Sequence, residues 1–278
     1  MNRSTSWHGK VNLSYGSRDQ QTVMRHCRTA APFRVQRPFY PDGDHVCHTV
    51  LLHTAGGVVG GDRLSIDLEL AENSHVFLTT AAANKIYRSD GEVATQAAVI
   101  NQAAGTILEY FPQELIVFDG ADYHQSLRVN LSAGSVWCGS DIIRFGRTAR
   151  GEKYHSGQWR NATEIWQEGE LLWGDRQQLQ GNPELFSAWN GLNDQPIVGT
   201  LALVGLEITE EKLAYFRDVT PPLKQGLGGI TKLQKGLLCR YRGSSSTEVK
   251  RWFIAMLKEW RSLYSPHKFT TPRVWQTY

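Results

Sequence analysis

The chain has 278 residues, of which 41% are hydrophobic and 21% charged, and its formal net charge is +3. Its 30 basic residues are spread along the sequence without the long runs of nucleic-acid-binding proteins, so a nucleic-acid partner is not expected. The longest apolar run, at 198–206, is far shorter than the ~20 residues that a membrane-spanning helix needs, so no membrane partner is expected either.

Length and cysteine usage indicate a single intracellular domain. All-β domains of ~200–250 residues are common, and we therefore assign residues 1–278 to one domain. The first ten residues, MNRSTSWHGK, contain no apolar signal segment. Four cysteines are scattered without a CxxC pair, which favours reduced thiols over a structural zinc site: Cys27, Cys47, Cys138 and Cys239. We therefore expect a cytoplasmic protein.

Short β-like segments, separated by Gly, Asn and Asp turn signals, dominate the sequence. They are predicted at 50–52, 64–70, 76–80, 107–111, 115–118, 127–131, 135–138, 165–173, 200–206 and 236–241. At 64–70 apolar residues alternate strictly with polar ones, which is the period of a half-buried strand. The pattern predicts a mainly-β, many-stranded fold that is β-helix-like or built of stacked sheets.

About two α-helices are predicted, both in the last third of the chain. Ser245 and Glu248 match a capping box before an amphipathic helix, whose apolar stripe runs from Val249 to Leu263. Such a stripe favours core packing over a docking face. A second, weaker helix is predicted at 210–216, with Thr209 as its cap.

The segment 47–62, CHTVLLHTAGGVVGGD, carries two pairs of glycines and ends on an aspartate. Gly56, Gly57, Gly60 and Gly61 predict backbone positions that need positive φ or a close approach by another strand or a ligand. Their spacing does not match a dinucleotide fingerprint, and no Lys-Ser/Thr follows as in a phosphate loop. Since strand-like segments flank the glycines, we predict a turn between two strands or a channel wall.

Signatures of hydrolases are missing, because the sequence has no GxSxG, no HExxH and no cysteine in a protease-like context. Carboxylate pairs such as Asp119 with Asp122 fall at turns, where they usually act as solvated caps. One alternative stays open, a stand-alone β-rich hydrolase or carbohydrate-binding module. It is motivated by four tryptophans in the middle of the chain: Trp159, Trp166, Trp173 and Trp189.

Six blocks of sequence, in order along the chain, resemble the urease accessory protein UreD family, also called UreH. They are PFRVQRPFYP at 32–41, the glycine segment at 47–62, TTAAANKIYRS at 79–89, EYFPQELIVF at 109–118, GRTARGE at 146–152 and PRVWQT at 272–277. The resemblance implies a non-enzymatic cytoplasmic scaffold that joins UreF and UreG and helps to deliver nickel to apo-urease. Nickel would then be a transferred cargo, held weakly by oxygen and imidazole ligands.

The resemblance also implies residues along a metal path: Asp62, Asn84, Asp141 and Asp175. Asn84 stands where other members have serine, and Asp175 where others have glutamate. Both still offer an oxygen ligand, so transfer would be altered and not abolished. Asp62 has an equally simple interpretation as a cap on the strand that follows it.

Residues close to these positions add further candidates. If 47–53 is a strand, His48 and His53 point to opposite faces and do not share an ion. His53, beside the glycine turn, is a candidate contact on the metal route, whereas His48 is expected to be a hydrogen-bonded structural residue. Lys85 and Arg88 flank Asn84, and they either pair with carboxylates inside the fold or are strand-end surface charges.

The densest basic stretch of the sequence contains Arg144, Arg147, Arg150 and Lys153. This stretch fits either an acidic partner protein or a solvated loop. The family resemblance favours a partner.

Overall fold

The structure is a computed structural model that describes residues 6–275. In that range the strands are β1 (His8–Arg18), β2 (Gln21–Ala30), β3 (Phe33–Val35), β4 (Val46–His53), β5 (Arg63–Leu70), β6 (His75–Thr80), β7 (Asn84–Ile86), β8 (Ala94–Gln102), β9 (Ile107–Phe111), β10 (Leu115–Val117), β11 (Asp122–Leu131), β12 (Val136–Phe145), β13 (Gln158–Gln167), β14 (Glu170–Gln180), β15 (Ile197–Val204), β16 (Gly226–Leu233) and β17 (Gly236–Gly243). The helices are α1 (Pro183–Ser187), α2 (Glu210–Asp218) and α3 (Ser246–Arg261). The ends of the predicted domain 1–278 and of the PRVWQT block lie outside the described residues.

The strands form two stacked sheets. One has seven strands in the order β14-β13-β11-β8-β5-β1-β2. The other has ten, in the main order β16-β17-β15-β12-β9-β6-β4-β3, with β10 beside β12 and β7 beside β10. The chain passes repeatedly between them, so that β5, β8, β11 and β13 run parallel in the first sheet. Likewise β4, β6, β9 and β12 run parallel in the second. This solenoid-like arrangement confirms the predicted mainly-β, β-helix-like or stacked fold.

Antiparallel strands extend both ends of the parallel layers. At one end β2 pairs with β1 and β3 with β4. At the other end β14 pairs with β13, while β15, β17 and β16 continue from β12. Because β13–β14 and β12–β15–β17 lie at the same end of the two sheets, late and middle parts of the sequence meet across the gap between them.

The main core fills the gap between the sheets. In β5 the side chains of Leu64, Ile66, Leu68 and Leu70 are buried, as the alternating pattern predicts. A second core lies on the other face of the ten-stranded sheet, where α2, α3 and the C-terminal segment cover it. Strand β6 (His75–Thr80) is therefore buried along almost its whole length instead of alternating.

Both predicted helices are confirmed. The Ser245 hydroxyl accepts a 3.2 Å hydrogen bond from the Glu248 N–H at the start of α3, and the apolar stripe of α3 packs into the second core, as predicted. Thr209 caps α2 in the same way through the Lys212 N–H. The Glu248 carboxylate does not close the capping box, because it accepts hydrogen bonds from the backbone of the loop before β16.

One predicted strand is wrong. Residues 165–173 form no continuous strand, because β13 ends at Gln167 and β14 begins at Glu170. Glu168 (φ 50°) and Gly169 (φ 88°) adopt left-handed conformations between them and turn the chain back into a hairpin. The sequence analysis also missed β1, β2, β3, β7, β8, β16 and α1.

All four cysteines are free, and Cys27 is the exposed one. Within residues 6–275, no helix is long and apolar enough to span a membrane.

Candidate functional site

A cavity of about 500 Å³ lies between the two sheets. Four of the five predicted path residues line it: His53, Asn84, Asp141 and Asp175. Gly56 and Gly57 of the glycine turn also line it, whereas Asp62 does not. The fold therefore brings side chains from both sheets, and from positions 53 to 175, to one cavity.

The glycine turn joins β4 to β5, as the sequence predicts. Gly61 has φ 86°, a conformation that L side chains rarely adopt. A Cβ atom on Gly57 would lie 2.6 Å from the Lys85 carbonyl oxygen, so the chain passes too close for any side chain there. Of the other two glycines, Gly60 is similarly crowded and Gly56 is not.

Asp62 is 1% exposed, and its carboxylate holds the turn together. Oδ1 accepts a 2.7 Å hydrogen bond from the Trp7 N–H, and Oδ2 accepts a 3.0 Å bond from the Val59 N–H. Both oxygens are thus engaged by backbone, which is the geometry of a cap. Its negative charge also acts on His53, whose pKa it raises slightly.

His53 has the properties of an imidazole ligand. Its Nδ1 lies 3.3 Å from the Ala55 carbonyl oxygen, which can only accept, so Nδ1 carries the proton and Nε2 carries the lone pair. Nε2 is buried and has no hydrogen-bond partner in the described part of the chain. Burial lowers the pKa of His53 below its ordinary value, although the Ala55 bond and Asp62 partly oppose this. A neutral imidazole with a free lone pair can bind a divalent cation.

Asp141 lies on β12 and is held across the gap by the opposite sheet. Its Oδ2 accepts a 2.6 Å hydrogen bond from Gln125 of β11 and a 3.0 Å bond from Asn161 of β13. Burial raises the pKa of Asp141 to about 7; the Gln125 bond lowers it in part, and the charge of Asp175 raises it further. A cation that bound the Asp141 carboxylate would therefore compete with its proton.

Asp175 lies on β14 and forms an ion pair with Arg240 of β17 in the other sheet. The Arg240 guanidinium is 2.7 Å from Asp175 Oδ1, and Gln177 donates a 2.6 Å bond to Oδ2. Arg240 also donates a 2.7 Å bond to the Thr200 hydroxyl, which lines the cavity. The charge of the Arg240 guanidinium thus balances that of the Asp175 carboxylate.

Asn84 begins β7, where its N–H donates to the Glu114 carbonyl oxygen at 3.0 Å. Its side chain is half-buried and lines the cavity, where the amide oxygen is a suitable ligand for a divalent cation. Four more amide side chains line the same cavity: Gln96, Gln113, Gln125 and Asn161.

The predicted charge partners lie at the surface. Arg88 is exposed and forms an ion pair with Asp119 at 3.2 Å, so of the two alternatives for this residue the structure agrees with the surface charge. The cause is local, because Arg88 extends over the turn at Gly120 and away from the cavity. Lys85 is also exposed, which agrees with a strand-end surface charge.

The basic stretch is largely neutralised within the chain. Arg144 pairs with Glu114, Arg147 with Glu152 and Lys153 with Asp194. A charged surface of this kind attracts an acidic partner less strongly than the sequence suggests.

The cavity offers ligands without forming a cage. No group of three or more His, Cys, Asp or Glu side chains that could hold a metal ion occurs within residues 6–275. The donors are instead a neutral imidazole, two carboxylates and several amides spread along the wall. This donor set suits brief contact with a divalent cation and not permanent binding.

The four tryptophans do not form a carbohydrate-binding platform. Trp159 and Trp173 are buried, and Trp166 is half-buried beneath the guanidinium of Arg128. Trp189 is 81% exposed. These four tryptophans therefore give no support to the alternative function.

Sequence reasoning missed the residues that hold the carboxylates: Gln125, Asn161, Gln177, Thr200 and Arg240. They belong to no motif, and alternation along a single strand does not show which residue of the opposite sheet each faces. The register of Thr200, opposite Asp141 on one side and Arg240 on the other, depends on strands far apart in sequence.

Comparison with known proteins agrees with the sequence blocks. Residues 8–276 match the family described as UreD urease accessory protein. The Urease accessory protein UreD of a Picosynechococcus species is 68% identical over 278 residues, which cover 100% of this chain and 98% of that protein. The proteins of the same name from Nostoc sp. and Synechocystis sp. are 51% and 40% identical, and the matches cover 98% and 92% of this chain and 96% of each relative.

Proposed function

This chain belongs to the UreD family of urease accessory proteins, and from that membership we propose that it is a non-enzymatic cytoplasmic scaffold. It joins UreF and UreG on apo-urease and helps to deliver nickel to the urease active site. UreF binds it directly, and the GTPase UreG joins through UreF. Nickel is the cargo and not a resident cofactor.

One observation supports the nickel path above the others, namely the free Nε2 of His53 in a cavity that two carboxylates share. Buried polar groups are normally hydrogen-bonded. In the described part of the chain two other histidines, His48 and His124, also have an unpartnered buried nitrogen, but of the three only His53 lines the cavity. A passing cation would satisfy it. Asp141 and Asp175 lie along the same cavity and supply the negative charge that a desolvated cation needs.

The spacing of donors favours transfer over storage. A cation that meets one imidazole, then amides, then a carboxylate is never enclosed by four strong ligands at once. Each site is therefore weak, and the cation moves on. Asn84 and Asp175 each offer an oxygen ligand to the cation. Asp62 acts indirectly, because its carboxylate holds the glycine turn beside His53 and its charge raises the pKa of His53.

The test of the overall function is nickel loading of urease. Cells that carry the other urease genes are compared with and without this gene, and both urease activity and nickel per urease active site are measured. Activity and nickel that appear only with this gene support the maturation role. Full loading without the gene would overturn it.

The test of the path uses variants in the same cells. Asp141→Asn, Asp175→Asn and His53→Phe are each expected to lower nickel per urease. Asp218→Asn, at an exposed position at the end of α2, is the matched control and should leave loading unchanged. Undiminished loading in all three cavity variants would exclude this cavity as the route. Co-purification of UreF with each variant distinguishes a lost route from a lost complex.

A further inference from the structure

We propose that Arg240 is a positioning residue for the cargo cation, because its guanidinium neutralises Asp175 and withdraws when a divalent cation binds that carboxylate. This inference rests on the proposed nickel path and adds a residue to it. Arg240 does not line the cavity itself, but Asp175 and Thr200, both of which it contacts, do.

The contacts of Arg240 show how the guanidinium is held. One terminal nitrogen lies 2.7 Å from Asp175 Oδ1, and the other donates a 2.7 Å hydrogen bond to the Thr200 hydroxyl. Gln177 completes the arrangement, since its Nε2 donates to both Asp175 and Thr200. Both residues that the guanidinium contacts line the cavity, so Arg240 competes with a cation in the cavity for the charge of Asp175.

Because the Arg240 side chain is partly exposed to solvent, it can move away from Asp175. Its side chain is 39% exposed while that of Asp175 is 12% exposed, so the arginine reaches the carboxylate from the solvent side. Arg261 provides the contrast, because its side chain is only 2% exposed and it pairs with two fully buried carboxylates, Asp42 and Glu109. An arginine in the second environment is fixed, whereas one in the first can exchange its carboxylate for water at little desolvation cost.

The charges predict selection for divalent ions. Arg240 already cancels the single charge of Asp175, so a monovalent cation that replaced it would gain nothing in charge. A divalent cation carries twice the charge and therefore interacts more strongly with Asp175 than a monovalent cation does. Repulsion between the divalent ion and the guanidinium then drives Arg240 outward. When the ion moves on, Arg240 returns and prevents Asp175 from retaining it.

The experiment measures Ni²⁺ binding to the full-length protein in complex with UreF, by equilibrium dialysis and metal analysis. Arg240→Gln is expected to bind Ni²⁺ at least about tenfold more tightly than the unmodified protein, because a competing cation has been removed. Arg240→Gln combined with Asp175→Asn should lose that gain. The matched control is Arg176→Gln on β14, whose 79% exposed side chain pairs with Glu164.

A second variant keeps the inference testable if Arg240→Gln fails to fold, which circular dichroism would show. Thr200→Val removes the hydroxyl that holds the guanidinium and leaves both charges in place. It is expected to raise Ni²⁺ affinity by less than Arg240→Gln does. Replacing Na⁺ in the buffer by K⁺ at the same ionic strength should leave all of these Ni²⁺ affinities unchanged.

The outcomes separate this inference from the proposed function. Equal Ni²⁺ affinity for Arg240→Gln, Thr200→Val and the unmodified complex would overturn the role of Arg240. If Asp175→Asn still lowered nickel in urease, the path itself would stand. Normal urease loading by the cavity variants, together with no Ni²⁺ binding by any of these proteins, would overturn both.

Discussion

Arg261 Nε donates a 2.8 Å hydrogen bond to Glu109 Oε1, although the two residues lie 152 positions apart in sequence. The pair joins the end of α3 to β9 in the middle of the ten-stranded sheet. Arg261 is 1% exposed, and it also pairs with Asp42 and donates to the Lys268 carbonyl oxygen. A single buried cation thus fastens the sheet, a loop near the N-terminus and the C-terminal segment together.

The first prediction concerns that cation. Arg261→Met is expected to lower the free energy of unfolding by about 3–5 kcal/mol, because it leaves two buried carboxylates without their partner. Urea unfolding followed by circular dichroism gives the value. Arg176→Met, at the exposed pair with Glu164, is the control and should change stability by less than about 1 kcal/mol. Equal effects of the two variants would show that the Arg261 cluster does not stabilise the fold.

The second prediction is a loss of stability in acid. Burial raises the pKa of Glu109, but hydrogen bonds and charge from Arg261 and His75 outweigh it and lower the pKa to about 2. The unfolded chain has a glutamate pKa of about 4.3, so the stabilisation is complete above that pH and is lost as the pH falls through 2. Melting temperatures should therefore decline between about pH 4.5 and 2. Glu109→Gln should melt lower at pH 7 and show a flatter decline, and an unchanged slope would contradict the assignment.

The third prediction separates two neighbouring glycines. Gly57→Ala is expected to destabilise the protein by about 1–3 kcal/mol, since the new Cβ would meet the Lys85 carbonyl oxygen. Gly56→Ala adds the same atom one position earlier, where the closest contact is 3.6 Å from the Tyr87 hydroxyl. It should be tolerated. Thermal melts of the two variants test the difference, and similar melting temperatures would show that the turn adapts to a side chain.

The fourth prediction concerns Asp62. Asp62→Ala leaves the Trp7 and Val59 N–H groups without acceptors, and about 1–3 kcal/mol of stability should be lost. Asp62→Asn keeps one acceptor oxygen and should lose less. Because the change also acts on the fold, its effect on urease nickel has to be expressed per folded protein. A normal melting temperature for Asp62→Ala combined with low nickel would assign Asp62 to the path directly.

The sequence predicted the elements whose pattern is local. Strand β5 alternates apolar and polar residues because one face meets the core, and α3 has a capping serine and a continuous apolar stripe. Strand β8 and strand β16 carry no such signal. The first is rich in Ala, Gln and Asn, and the second contains three glycines, so both take their strand form from the neighbours with which they pair.

In the candidate site too, some residues were predicted from the sequence, whereas the contacts that hold them were not. Asp141 and Asp175 were found through resemblance to a family and not through a local pattern of the sequence. The hydrogen bond from Gln125 to Asp141 and the ion pair from Arg240 to Asp175 depend on which strands of the two sheets face each other. No pattern within one strand contains that information, since it is set by the stacking of the whole solenoid.

The last prediction concerns Asp141 and has the opposite pH dependence to Glu109. Burial raises its pKa to about 7, whereas an aspartate in the unfolded chain has a pKa of about 3.9. Between these values the folded state keeps a proton that the unfolded state has lost, so stability falls as the pH rises and is constant above 7. Replacement by a side chain that does not titrate removes this loss.

Asp141→Asn should therefore leave stability unchanged at pH 4 and raise it by about 2–4 kcal/mol at pH 8. The substitution preserves the local geometry, because Gln125 and Asn161 both donate to the same oxygen, and the amide oxygen of asparagine can accept both bonds. Urea unfolding at the two pH values gives the comparison, with Asp218→Asn as a control that should show no pH-dependent difference. An equal effect of Asp141→Asn at pH 4 and pH 8 would mean that Asp141 is ionised in the folded protein throughout this range. The cation path would then contain a charged ligand at Asp141, which would release no proton on binding.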